Sequence, residues 1–169
     1  MHSLNGLKEG NFQASLLSMA NRAIPSPGEI VCHSVDHFRA AFSVITELTP
    51  DRLPVVRTAP GATDYAGVQF LWDMAVLARS ESNQHIEVVL DCGDNPATVF
   101  GALRTGWTRI AYNGPEPLRK KISSLVARQG GSVITLNEGP VLDLFHSNQP
   151  KTDCASWILD IQACLGESC

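Results

Sequence analysis

Ile86–Gly114, IEVVLDCGDNPATVFGALRTGWTRIAYNG, decides the fold. His85–Asp91 reads as a strand whose centre, Val88-Val89-Leu90, is apolar without alternation. Continuous apolar residues mark a strand covered on both faces, as parallel strands are. Asn95 then stands as an N-cap with Pro96 at the first helical position, and a helix runs to Gly106. After a short turn, Arg109–Tyr112 is the next strand. A strand, helix and strand in this order make a βαβ unit, which gathers its reactive groups at the C-terminal rim of the strands. Here Asp91-Cys92-Gly93-Asp94 places two carboxylates and a thiol within four residues of that rim.

Outward from this unit the same grammar repeats. Upstream, Glu29–Ser34 is a short strand ending in His33, and Val35, Phe38, Phe42, Ile45 and Leu48 recur at helical spacing. Ser34 or Asp36 stands near the start of that helix, and Thr49-Pro50 stops it. Leu53–Thr58 is a strand, residues 59–64 a loop, and Ala66–Arg79 a helix with Val68, Leu71, Trp72 and Ala75 toward the sheet. Downstream, Pro115–Gln129 is a helix closed by Gly130-Gly131, and Ser132–Leu136 is a fifth strand.

The tail is less regular. Val141–Phe145 could form a short sixth strand, and His146–Thr152 reads as a polar linker. Asp153–Leu165 carries Cys154, Trp157, Ile158, Ile161 and Leu165 along one helical stripe. At the other end, Asn11–Ala23 reads as a short helix ended by Pro25 and Pro27. The organisation expected is an N-terminal segment (residues 1–28), an α/β domain (29–145) and a linker with a C-terminal amphipathic helix (146–169). The fold class is α/β, a parallel sheet of about five strands with alternating helices. It is either a TIM-barrel-like half-barrel or an open, doubly wound, flavodoxin-like sheet.

Composition narrows the function. The 169 residues suit one domain with a substantial core. Seventeen acidic against 13 basic residues give a charge of −4, and Arg119-Lys120-Lys121 on a helix is the nearest thing to a basic stripe, so nucleic acid is not the partner. No apolar run approaches the roughly 18–20 residues of a membrane span, and no charged segment precedes an apolar one at the start. The five cysteines lack paired spacing and read as reduced thiols, so the expected location is cytoplasmic.

With the elements in place, Phe12 to Gly139 resembles the amino-terminal half of a class II fructose-bisphosphate aldolase. The resemblance rests on a leading helix, Ser34-Val35-Asp36 after the first strand, Pro60-Gly61-Ala62 and Tyr65-Ala66-Gly67 after the second, and Ala102–Gly106 before Arg109–Gly114. Most specific is Leu90-Asp91-Cys92-Gly93-Asp94, similar to the family's Leu-Asp-His-Gly-Asp. The resemblance implies a divalent metal, usually zinc, that polarises a carbonyl, with Asp91 in proton transfer and Cys92 where the family has a metal-binding His. Thiolate is a good zinc ligand, so Cys92 is the candidate metal ligand. The family's other metal histidines and phosphate loops lie beyond the fifth strand, and this tail offers only His146, which reads as a barrel truncated after that strand. His33 stands where the family has a substrate-contacting Asn, and Asn113 replaces an Asp.

The candidate site is therefore Asp91 as the catalytic carboxylate, with Arg57, His33, Asp94 and Asn113 as ligand-binding residues. Asp91, Asp94 or Asn95 could instead cap the following helix. Arg57, a strand-end guanidinium at a concave rim, suits a small anionic ligand, and a surface salt bridge is its plainer role. Two functions follow. One is an aldolase-like half-barrel without aldol chemistry, needing no cofactor and serving as a small-ligand-binding or scaffold protein in a homodimer. The other is a metal-dependent lyase or isomerase acting on a small phosphorylated or carboxylated carbonyl compound. In either, the exposed inner face of a half-barrel must be covered, by the C-terminal helix folding back or by a second copy, unless that helix merely caps one end of the sheet.

Overall fold

A computed structural model describes residues 27–82, 85–136 and 139–166. Six strands form one sheet: β1 (Glu29–Cys32), β2 (Val55–Thr58), β3 (Val88–Asp91), β4 (Arg109–Ala111), β5 (Ser132–Ile134) and β6 (Val141–Asp143). Every pairing is parallel, and the spatial order is β5-β4-β3-β2-β1-β6. The helices are α1 (Val35–Leu48), α2 (Ala62–Tyr65), α3 (Val68–Ser80), α4 (Pro96–Thr105), α5 (Glu116–Arg128) and α6 (Pro150–Gly166). The short helix α2 lies in the stretch expected to be loop, and β6 falls within Val141–Phe145, offered as a possible sixth strand. The expected N-terminal helix, Asn11–Ala23, lies outside the described residues, as does the side chain of Leu165.

The first five strands are neighbours in chain order. Right-handed crossovers between such strands carry every intervening helix to the same face. The helices pack side by side in the order α6-α1-α3-α4-α5. An all-parallel sheet with alternating helices is consistent with either form expected, the half-barrel or the open sheet. The return from β5 to β6 takes only seven Cα steps, from Ile134 to Val141, a reach of about 25 Å at full extension. Six flat strands would set their edges about 24 Å apart before any return along the strand direction. The sheet must therefore curl.

Register divides the strand residues between the two faces. Ile30, Cys32, Val56, Val88, Leu90 and Ile110 face the helices and pack with Phe38, Phe42, Ile45, Leu71, Ala75, Val99 and Val126 in one apolar cluster. Helix α1 starts where Ser34 Oγ accepts the His37 N–H, which selects Ser34 over Asp36 as its cap. It stops where Thr49 takes a left-handed conformation ahead of Pro50. Phe38, Phe42 and Ile45 are at most 1% exposed, and each contributes about 1.5–3 kcal/mol by burial.

Helix α6 begins at Pro150, three residues earlier than the sequence suggests, and packs along α1. Cys154 and Ile158 are buried in the apolar cluster, and Trp157 lies against Gly28. The helix thus extends the outer layer and does not fold back over the concave face. The reason is local: β6 pairs with β1, so the chain leaving β6 emerges beside α1, whose flank was open. Among the described residues no helix is long and apolar enough to cross a membrane.

Candidate functional site

The concave face carries the charge. Register places Glu29, Val31, Arg57, Val89, Asp91 and Ala111 on the side away from the helices. Arg57 lies on this face with its side chain 9% exposed, not out on the rim. Its Nε donates to Glu29 Oε2 at 2.8 Å, and its Nη1 to Asp91 Oδ2 at 3.2 Å and to the Thr58 carbonyl at 3.4 Å. The side chains of Glu29 and Asp91 are 3% and 6% exposed. Arg57 sits one residue before the end of β2, with an acid below it on β1 and another above it on β3. A guanidinium taken out of water needs such partners, because its desolvation otherwise outweighs any packing gain. The surface salt bridge that the sequence allows is thus a buried one.

Asp91 is committed twice. Its second oxygen, Oδ1, accepts the Gly93 N–H at 2.9 Å, closing a tight turn straight after β3. The Asp91 N–H donates to Thr58 Oγ1 at 3.0 Å, and the Asn113 N–H donates to the Gly93 carbonyl at 2.7 Å. Two residues after Gly93, Asn95 Oδ1 caps α4 through the Ala97 N–H at 2.9 Å. Asp94 and Asn113 both stand exposed on the rim. Cys92 belongs to the apolar cluster under the helices and is 2% exposed. Burial, aided by the neighbouring Asp91 charge, pushes its thiol up to about 12.

A second constellation occupies the rim above β1 and β6. His33 Nε2 lies 2.7 Å from Asp143 Oδ1, which also accepts the Phe145 N–H at 2.9 Å. Because a carboxylate only accepts, Nε2 is assigned the proton and Nδ1 is left basic. Burial pushes the Asp143 carboxyl up, but the Phe145 N–H, the His33 hydrogen bond and the His33 and Arg57 charges outweigh it and hold the group below its usual range. The His33 N–H donates to His37 Nδ1 at 3.1 Å. Burial and the His33 charge lower the His37 pKa, against the opposing pull of Asp36 and Asp143. Phe145, 63% exposed, places its ring 4.9 Å from that of His33.

The structure thus joins Arg57 to Asp91 and His33 to Asp143, and leaves Cys92 on the opposite face. Glu29 and Asp143 are the site residues that sequence reasoning missed. A signal existed for the second: Val141-Leu142-Asp143 repeats the ending of β3, Val89-Leu90-Asp91. The zinc site implied by the resemblance can be tested against these donors. Cys92 is a buried, protonated thiol facing the helices, and His33 is engaged by Asp143. Among the described residues no three His, Cys, Asp or Glu side chains gather as a metal-binding group. The described residues do not fit that site. What they offer at the rim is an imidazole, 18% exposed, oriented by a carboxylate with its Nδ1 turned away from that partner.

No family model matches the chain. Among curated proteins, it is similar to a class 2 fructose-bisphosphate aldolase of Synechocystis sp., with 32% identity over 88 residues. That stretch is 50% of this chain and 24% of the aldolase, so the chain spans about a quarter of that relative. The match supports a distant aldolase-like relationship.

Proposed function

We propose that this chain is an aldolase-like half-barrel that binds a small ligand at its C-terminal rim and does not carry out aldol chemistry. One observation carries the reading: both oxygens of Asp91 are occupied, by Arg57 and by the Gly93 N–H, in a side chain 6% exposed. A base that must take a proton from substrate has to lie within its reach, and burial against Arg57 withholds this carboxylate. In this protein the acid of the motif holds the sheet and its turn together. The expected anionic ligand was matched to Arg57, whose charge two carboxylates already meet. Contact with a ligand falls instead to His33, Asp143 and the exposed Phe145 ring.

The test is to assay fructose-bisphosphate cleavage with zinc supplied, alongside an Asp91→Asn variant. The expected result is no turnover in either protein and a lowered melting temperature in the variant. Zinc-dependent turnover abolished by Asp91→Asn would overturn the reading. We also propose a homodimer. Its support is that β5 and β6 each lack a second neighbour among the described residues, and that Val141 on β6 is 47% exposed. Unpaired edges of this kind invite pairing with another chain. Light scattering should give twice the mass of 18.3 kDa, and a monomer at every concentration would refute the pairing.

A further inference from the structure

We infer that the opposite end of the sheet, at the N-termini of the strands, carries a second ligand site, for a short aliphatic carboxylate. A cavity of about 340 Å³ opens there, within the range of small-molecule sites. Its apolar wall includes Leu53, Val55 and Val89, and its polar side is His85, Glu87 and Arg109. Val55, Val89 and Arg109 share the concave face of the sheet, Val55 in register with Glu29 and Val89 with Arg57, so the cavity adjoins the Glu29–Arg57–Asp91 network at the strand starts, and Ile45, Val56 and Ile86 line it from the helix side.

Two observations point to what it holds. Arg109 Nε is buried without a hydrogen-bond partner among the described residues, and Glu87 Oε2 approaches it only at 3.3 Å as an ion pair. Strand β4 thus supplies a guanidinium, 37% exposed, whose buried Nε lacks a hydrogen bond, and a guanidinium suits a carboxylate in bidentate geometry. Leu53 is 57% exposed beside it, an apolar side chain left in water. A ligand with an anionic head and an aliphatic tail answers both. Glu87 sets the head's charge: its carboxylate beside Arg109 tolerates a monoanion on the remaining edge of the guanidinium and repels a phosphate dianion.

The experiment is an amide chemical-shift titration of the full chain with sodium hexanoate, repeated with butyrate and with inorganic phosphate. Saturable shifts are expected at Leu53, Val89 and Arg109. Butyrate, shorter by two methylenes, should bind about tenfold more weakly. Arg109→Gln should weaken hexanoate about tenfold or more through loss of the charge-assisted pair. Leu53→Ser, at an exposed position that leaves the fold alone, should weaken it about threefold, which keeps the test decisive if the Arg109 variant is unstable. Shifts that do not saturate, that map to the rim around His33, that respond equally to phosphate, or that persist unchanged in both variants would overturn the site.

Discussion

Replacing Arg57 by Met isolates what holds the concave face together. The substitution preserves an unbranched stem of similar length and removes the cation from between Glu29 and Asp91. Arg57 makes both ion pairs from a position 9% exposed, and its partners are 3% and 6% exposed, so water cannot take over its role. Removing one member of a buried ion pair costs about 3–5 kcal/mol, because the charges left behind stay desolvated. For a chain of this size each kcal/mol shifts the melting temperature by roughly 2–4 °C, so a fall of about 6–20 °C is expected. Circular dichroism melts would measure it, with Arg39→Met as the control. Arg39 bonds Glu81 twice at 2.7 Å and Asp36 at 2.9 Å, better geometry than Arg57 has, but it is 38% exposed. Its loss should matter far less, since water and salt replace exposed pairs readily. If Arg57→Met melts no lower than Arg39→Met, burial does not make this network structural, and the reading of Asp91 as an occupied acid fails with it.

Two further predictions concern the ends of β1. His37 is neutral in the fold because its Nδ1 accepts the His33 N–H, and its pKa is lowered from 6.5, so the unfolded chain takes up the proton first. The stabilisation is complete above about 6.5 and declines as pH falls from there toward the lower folded value. Melts at pH 7.5 and below 6 should show this decline, and His37→Gln should flatten it; an identical pH profile in the variant would refute the assignment. At the other end, Gly28 has φ +85°, and a Cβ there would sit 2.8 Å from the Pro140 carbonyl and 2.7 Å from Trp157 Cη2. The contact is with backbone as well as side chain, so Gly28→Ala should cost more than the roughly 1 kcal/mol of a left-handed residue alone, and a variant as stable as the parent by urea titration would show that this junction gives way.

The fold was legible because its elements announce themselves by period. The run Val88-Val89-Leu90 and the three-four spacing from Phe38 to Leu48 depend only on which faces are buried, and burial follows local pattern. The Asn95-Pro96 start of α4 is local chemistry in the same sense, and it holds in the structure. What was not legible is pairing across the sheet. That Arg57 is caught between Glu29 and Asp91 follows from register between three strands, 28 and 34 residues apart in the chain. Likewise His33 finds Asp143 across 110 residues because β6 returns to β1 and does not extend the far edge. The direction of α6 stayed open among three alternatives for the same reason: its apolar stripe was readable, but the element it meets depends on where β6 docks.

Asp91 also shows how one motif residue can serve the fold. In the Asp-Cys-Gly-Asp turn, the carboxylate that the aldolase resemblance makes a proton carrier does work any βα junction of this shape requires. It accepts the Gly93 N–H where the glycine takes φ +55°, and it neutralises an arginine that the curled sheet has enclosed. The second role favours Asp over Asn, since a neutral amide would leave Arg57 with one counter-charge, and the first favours glycine two residues on, where φ is positive. The neighbouring position has no such double duty. Cys92 faces the helix layer, where a small apolar side chain packs well and an imidazole would need a buried partner. On the proposed reading, Asp91 and Gly93 are held by the fold, whereas the position between them answers only to packing under the helices, where this sequence has a cysteine.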